Sequence, residues 1–244
     1  MPEVSILVPC QNDARTLEPT LGALNATVTH SSLNVETLII DNESEDETQR
    51  IAQDLVQRFP ALHMRILARK RLHPGFGSVV RYGMAFANGR YCALVSSDGM
   101  DPVELLPDFI KHLRAGTQLV QCTRYFREGD TKNIPQAYRA YQTIYRKAVA
   151  WLLGESISDT TYGFRAFDRI FIQALGTSSK RFNICPEMTL KVLLSGGKIE
   201  YLPGQPKPFR EGGSAKFQLP SEIWGYVFVV VRAALHKWRI FRWF

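Results

Sequence analysis

Several runs in the first half of the chain are apolar almost from end to end, and helix-like stretches separate them. The runs are VSILVPC from Val4, NVETLIIDN from Asn34, LHMRILAR from Leu62, YCALVSS from Tyr91 and TQLVQCTRY from Thr117. A strand with one wet face alternates apolar and polar residues, whereas a continuously apolar strand is covered on both faces. Alternation with helices then predicts a mostly parallel sheet between two helical layers, an α/β fold of Rossmann-like type. Ligands of such sheets bind beyond the carboxyl ends of the strands. Pro9, Asp41 and Asp98 all stand at those ends, so they are expected on one rim. The helices are expected from about Ala14 to Val28, from Ser44, with Glu47 completing a capping box, and after Asp101.

The second half is less regular. AYRAYQTIYRKAVAWLLG reads as an amphipathic helix, TTYGFRAFDR as loop then strand, CPEMTLKVLLSGG as a helix and KIEYLP as a short strand. The last segment, SEIWGYVFVVVRAALHKWRIFRWF, reads as a helix with Phe228, Val231, Leu235, Trp238 and Phe241 on one stripe. Arg232, His236, Arg239 and Arg242 lie beside that stripe. Such a helix either lies among lipid headgroups or packs on the core through Trp224 and Phe228. No window reaches the roughly 18 apolar residues of a spanning helix, and the N-terminus lacks signal-peptide character. The four cysteines are widely separated, as expected of reduced core residues in a cytosolic compartment. A net charge of +7 suits anionic partners. Nucleic acid is not expected, because the basic residues are interleaved with core segments and form no known RNA or DNA motif.

VSSDGMDP, residues 95–102, leads a buried strand straight into an acidic turn. Divalent cations such as Mg²⁺ and Mn²⁺ take one or two carboxylates plus substrate phosphates, and Asp98 and Asp101 fit that pattern. Asp101 equally fits a helix N-cap before Pro102. HPGFGSVVRYG places Gly77 at a helix start, a mild phosphate-binding cue, without the dinucleotide or P-loop pattern. FREGGSAKF, residues 209–217, sets Arg210 and Lys216 around Gly-Gly-Ser. It is either a solvated surface loop or a basic lid over a diphosphate.

Taken in order, these motifs resemble the family-2 glycosyltransferases of the GT-A fold, above all the polyprenyl-phosphate sugar transferases of the dolichyl-phosphate mannose synthase kind. VSILVPCQND is similar to the family's opening strand and Pro-x-x-Asn-Glu turn, with Asn12 and Asp13 in its last places. LIIDNESEDET, HPGFGSVVRYGMAFANGRYCALVSSDGMDP, TRY, DTTYGFRAFDR and FREGGSAKF follow in the family's order. The resemblance implies an inverting transferase that moves a sugar from a UDP- or GDP-sugar to polyprenyl phosphate with Mg²⁺ or Mn²⁺. It implies donor contacts from Pro9, Asn12, Asp13, Asp41, Gly77, Ser96 and Asp98, and metal ligation by Asp98 and Asp101. Catalytic roles fall to Asp98, Arg124 and Arg210, and acceptor contacts to Arg124, Arg139, Glu187, Arg210, Ser214 and Lys216. A catalytic domain over 1–217 is expected, its nucleotide-sugar half at 1–123 and its acceptor half at 124–217, with an interfacial helix at 218–244. The implied location is the cytoplasmic face of a membrane, with docking on an integral-membrane partner a further expectation.

Three positions depart from the family's pattern. Ser96 replaces the first aspartate of its Asp-x-Asp, Met100 stands where a glutamine is common, and Asn42 replaces the second aspartate of Val-Asp-Asp. They keep two rivals open. One is transfer to a glycan hydroxyl, which needs a general base such as Glu187 or Asp159. The other is a non-catalytic nucleotide-sugar-binding subunit.

Overall fold

The computed structural model describes residues 1–70, 75–124, 136–207 and 219–244. Strands β1 (Val4–Cys10), β2 (Val35–Asp41), β3 (Met64–Ala68), β4 (Tyr91–Leu94), β5 (Leu119–Thr123), β6 (Arg165–Asp168) and β7 (Ile199–Pro203) form one seven-stranded sheet. Its order is β3-β2-β1-β4-β6-β5-β7, and only β6 runs antiparallel to its neighbours. Helices α1 (Leu17–Ser31), α2 (Thr48–Arg58), α3 (Phe76–Phe86), α4 (Leu106–Arg114), α5 (Gln136–Leu153), α6 (Arg169–Ala174), α7 (Ile184–Leu194) and α8 (Leu219–Lys237) surround it. The expected halves 1–123 and 124–217 share this sheet, since β6 sits between β4 and β5.

The continuous apolarity of the strands has the predicted cause. Successive side chains of a strand point to opposite faces. Ile6 and Val8 of β1 and Ile39 of β2 meet Leu21 and Leu24 of α1 and Phe109 of α4 in one core. Leu7, Leu38 and Ile40 meet Val80 of α3 and Met188 of α7 in a second core on the other face. A third cluster joins Tyr145 and Val149 of α5, Leu190 of α7, and Tyr226, Val229 and Ala233 of α8. All four cysteines are free and buried.

Local expectations fail where tertiary partners were invisible. Helix α2 starts at Thr48 rather than Ser44, because the Ser44 hydroxyl is bonded to Asp41 and it is Asp46 Oδ1 that accepts the Thr48 amide, at 3.0 Å. Helix α1 starts at Leu17, after a turn in which the amides of Thr16 and Leu17 donate to the Asp13 carbonyl. Asp101 does not cap the following helix. A 3-10 turn at Val103–Leu105 intervenes, and the Asp101 carboxylate turns back to the Ser96 amide. The short helix α6 was not foreseen.

Gly77 is a packing residue rather than part of a phosphate cradle. A Cβ there would lie 2.3 Å from the Ser179 carbonyl oxygen, and the Ser78 amide already donates to the Lys180 carbonyl at 3.1 Å. The segment around Lys180 thus occupies the start of α3. Alanine normally gains about 1 kcal/mol over glycine inside a helix, but a clash with backbone costs roughly 1–3 kcal/mol. Gly77→Ala is therefore expected to lower the urea midpoint, and a raised midpoint would show that the 179–181 backbone yields freely.

Candidate active site

Three loops leave the carboxyl ends of β1, β2 and β4 side by side. After β1 the chain turns at Asn12, whose φ of 56° is left-handed. The buried Asp13 carboxylate follows, accepting the Gln11 amide at 2.8 Å and lying 2.7 Å from the Ser97 hydroxyl. Ser97 Oγ is also 3.0 Å from the Pro9 carbonyl, and the Ser97 carbonyl accepts the Thr20 hydroxyl at 3.1 Å. The loop after β4 is thereby tied to β1 and α1.

The loop after β2 joins the same arrangement. Asp41 Oδ1 accepts the Ser44 hydroxyl at 2.5 Å, and Ser44 Oγ accepts the Asn12 amide at 3.0 Å. Asn12 Oδ1 in turn accepts the Glu45 amide at 2.8 Å, and the Asp13 amide donates to Thr48 Oγ1 at 2.8 Å. Asn42, one of the departures from the family's pattern, spans the rim: its Nδ2 donates to Gln11 and its Oδ1 accepts Arg69, at 3.0 and 2.9 Å. Pro9, Asn12, Asp13, Asp41, Ser96 and Asp98 are thus brought to one edge, as the strand-end rule required.

The two carboxylates after β4 have different surroundings. Asp98 is half-buried, and its Oδ1 accepts the Met100 amide at 3.0 Å across Gly99, whose φ of 75° suits glycine. Asp101 is buried, and its Oδ2 accepts the Ser96 amide at 2.6 Å. Burial, and then the charge of Asp98, push the Asp101 carboxyl up to about 7. Asp98 fits a cation held by one carboxylate together with substrate phosphates. Asp101 fits poorly as a second ligand, being enclosed and engaged by backbone, so its post is to close the 96–101 loop. Among the described residues there is no cluster of three or more His, Cys, Asp or Glu that could hold a metal unaided.

A cationic group reaches the same edge from β5. Two nitrogens of Arg124 clasp the buried Asp159 carboxylate, one of them at 3.0 Å, and the guanidinium lies 4.8 Å from the centre of the Tyr162 ring. Burial raises the Asp159 carboxyl, but Arg124 together with the Thr161 hydroxyl and amide outweighs it and leaves it below the usual carboxylate range. Tyr162 is pushed well up by burial and then by neighbouring Asp101, so Arg124, Tyr162 and Asp101 are linked. The wholly buried Arg165 shapes this loop by donating to the carbonyls of Thr160 at 3.1 Å and of Tyr162 at 2.5 Å. From β7, the Lys207 amide donates to the Met100 carbonyl at 2.8 Å.

Other expected site residues stand elsewhere. Glu187 is fully buried in α7, accepting the amides of Ser178 and Ser179 and lying 3.3 Å from Lys191 Nζ, so it is an internal brace rather than an acceptor contact. Arg139 is exposed on α5, with no side-chain bond to the rim residues. Arg210, Ser214 and Lys216 lie outside the described residues. Sequence reasoning missed Ser97, Tyr162 and Arg165 as organisers. Ser97 adjoins Asp98, and the other two lie in the TTYGFR run, but their partners are remote in sequence.

This is the α/β architecture of the GT-A glycosyltransferases. The model of Glycosyl transferase family 2 matches residues 5–176, and the chain belongs to that family. It is 25% identical over 199 residues to a dolichol-phosphate mannosyltransferase of Pyrococcus furiosus, covering 78% of this chain and 53% of that protein. It is also 25% identical over 205 residues to a polyprenol monophosphomannose synthase of Mycolicibacterium smegmatis, covering 81% of this chain and 75% of that protein. The chain thus spans about half the length of the Pyrococcus relative. Among solved structures, glucosyl-3-phosphoglycerate synthase of Mycobacterium tuberculosis, in complex with Mn²⁺, UDP and phosphoglyceric acid, matches with a TM-score of 0.66 at 19% identity. That match covers 97% of this chain and 78% of the other.

The Asp101 shift carries a sign. A carboxyl raised above its unfolded value of 3.8 keeps its proton longer in the folded state, so stability falls as pH rises towards and through about 7. Asp101→Asn keeps an oxygen for the Ser96 amide and removes the buried charge. It is expected to raise the melting temperature at pH 8 by several degrees, reflecting up to ~4 kcal/mol, with a smaller gain at pH 5. A gain independent of pH, read by thermal unfolding across that range, contradicts the assignment.

Proposed function

We propose that this chain transfers a sugar from a nucleoside diphosphate sugar to a polyprenyl phosphate at a membrane surface. The donor's nucleoside is assigned to the rim of Pro9, Asn12, Asp13, Asp41 and Ser96, with the diphosphate towards Asp98. Asp98 would hold Mg²⁺ or Mn²⁺ there, and the cation would supply charge neutralisation to the departing nucleoside diphosphate. Structures of the mycobacterial neighbour with Mn²⁺ or Mg²⁺ and UDP support this choice. Arg124, clasped by Asp159 over the Tyr162 ring, acts on the neighbouring Asp101, and the Lys207 amide ties the chain after β7 to the Met100 carbonyl.

The observation that favours a phosphate acceptor over a sugar hydroxyl is the state of the two candidate bases. Attack by a hydroxyl needs a group to remove its proton, but Asp159 is clasped by Arg124 and Glu187 is enclosed by backbone amides and Lys191. A phosphate oxyanion needs no such base. Its oxygen forms a bond to the anomeric carbon while the bond to the diphosphate breaks on the opposite side, inverting the centre. The names of the Pyrococcus and Mycolicibacterium relatives point to the same acceptor class.

The membrane part rests on α8. Tyr226, Val229, Val230, Ala233 and Ala234 are buried, so the helix packs through them and not through Trp224 and Phe228. Trp224 is 77% and Phe228 58% exposed, and Val231, Trp238, Ile240 and Phe241 are exposed as well. Arg232 lies 5.2 Å from the Phe228 ring centre. Apolar and aromatic residues beside arginine suit a helix lying among headgroups. Among the described residues, no helix is long and apolar enough to cross a membrane. We assign the chain a peripheral place on the cytoplasmic face of a membrane, held there directly or through an integral-membrane partner. A soluble phosphorylated acceptor is the second reading, favoured by the phosphoglyceric acid bound to the structural neighbour.

The test is transfer from a panel of UDP- and GDP-sugars with Mn²⁺ or Mg²⁺, comparing polyprenyl phosphate, phosphoglyceric acid and no acceptor by mass spectrometry. A lipid-linked monosaccharide is expected, and Asp98→Ala should lower its rate by on the order of 100-fold or more. Product on phosphoglyceric acid alone selects the second reading. Nucleotide-sugar binding without transfer to any acceptor identifies a non-catalytic subunit.

A further inference from the structure

A cavity of about 560 Å³ opens where α7 and α8 end, and none of the rim residues lines it. Leu193 and Leu194 of α7, Glu155 beyond α5, and His236, Lys237, Arg239, Phe241 and Arg242 form its walls. Basic residues at helix ends ordinarily serve the last carbonyls, but here those carbonyls are mostly met by backbone. The Leu235 carbonyl accepts the amides of Ile240 and Phe241, the His236 carbonyl accepts Arg239, and the Leu193 carbonyl accepts Gly196. Only Lys237 is spent in this way, on the Leu153 carbonyl.

The remaining cations are in surplus. Arg239, at a left-handed φ of 59°, turns the chain back over the helix end, and its side chain has no bond or ion pair among the described residues. Among the described residues Arg242 donates only its Nε, to the Phe244 carbonyl at 3.3 Å. His236 accepts the Trp243 amide on Nδ1 at 3.1 Å, so in its neutral form the proton sits on Nε2 and that nitrogen is a donor. Glu155 is the one acidic residue in the wall. Phe241 lines the cavity, and Trp238 and Ile240, close to it in the chain, are exposed apolar residues.

A ligand for this place needs an anionic group for the guanidinium forks and an apolar part for the aromatic rim. We infer that the cavity takes the phosphate group of an anionic phospholipid, whose acyl part lies along Trp238, Ile240 and Phe241. This rests on the membrane reading of α8 and adds to it a headgroup site separate from the acceptor's. Preference for anionic lipid then comes from the cavity, whereas apolar attachment comes from Trp224 and Phe228.

The experiment is co-sedimentation of the whole chain with vesicles of phosphatidylcholine alone and of phosphatidylcholine mixed with phosphatidylglycerol. At about one charged contact each, two arginines predict roughly 30-fold tighter binding to the mixed vesicles. Arg239→Ala with Arg242→Ala should abolish that surplus and leave binding to neutral vesicles unchanged. Arg50→Ala with Lys111→Ala, which removes equal charge elsewhere, should keep it. The inference is overturned if the cavity variant keeps the surplus, or if the control variant loses as much. Glycerol 3-phosphate titrated without vesicles separates the two phosphate sources. Saturable binding that needs Arg239 and Arg242, alongside equal binding to both vesicles, assigns the cavity to a soluble phosphate and rejects the lipid. Failure of the wild type to bind either vesicle rejects the membrane reading itself, and transfer to polyprenyl phosphate in detergent then stands or falls separately.

Discussion

The bond between the Asp13 carboxylate and the Ser97 hydroxyl holds the site together. Its partners are 84 residues apart and meet only because β1 and β4 are neighbours in the sheet. A buried carboxylate left without donors costs several kcal/mol or takes up a proton, so Asp13 constrains whatever supplies its bonds. It draws Ser97 inward, and Ser97 Oγ reaches the Pro9 carbonyl at the same time. Asp98, the next residue, is thereby held at the edge of the sheet. Thr48 on the Asp13 amide and Ser44 on the Asn12 amide carry the same constraint to the loop after β2. The loops after β1, β2 and β4 are consequently one hydrogen-bonded unit.

That unit contains two carboxyl groups three residues apart, and they divide the work by burial. Asp98 keeps contact with solvent and accepts one backbone amide. Asp101 is enclosed, and its charge is opposed by burial and by Asp98. Ser96 fits the same logic, since a carboxylate there would add a third negative group to a turn already closed by Asp101.

The sheet and its rim were legible because both rest on local pattern. Continuous apolar runs revealed strands buried on two faces, and the strand-end rule placed Pro9, Asp41 and Asp98 together before any coordinates. What stayed hidden depends on partners chosen by tertiary contact. Ser44 has the chemistry of an N-cap, yet its hydroxyl serves Asp41. Gly77 looks like a phosphate-loop glycine, yet the 179–181 backbone needs its missing side chain. Glu187 looks like a free acid, yet it holds two amides of a loop that grips α3. In the C-terminal helix the stripe held for Phe228, Val231 and Leu235, but the helix ends at Lys237, so Trp238 and Phe241 lie beyond it, and which side faced the core was undecided. Tyr226 and Ala233 settle it by filling the space between α5 and α7, which leaves Trp224 and Phe228 outside.

The antiparallel strand explains how the second half of the chain joins a rim made by the first. A parallel strand in that position would enter the sheet at the edge opposite the rim. Because β6 runs the other way, its first residue, Arg165, pairs with Leu94 at the exit of β4 and with Gln121 near the exit of β5. The loop just before it, Asp159 to Phe164, therefore emerges beside both exits. Arg165 then holds that loop through the carbonyls of Thr160 and Tyr162, and the loop presents Asp159 to Arg124 and the Tyr162 ring beneath the guanidinium. The direction of β6 thus brings Asp159 and Tyr162 up to Arg124, which leaves the end of β5. The DTTYGFR run thus works as one device: its aspartate and tyrosine build the cationic side of the site, and its arginine fixes them to the sheet.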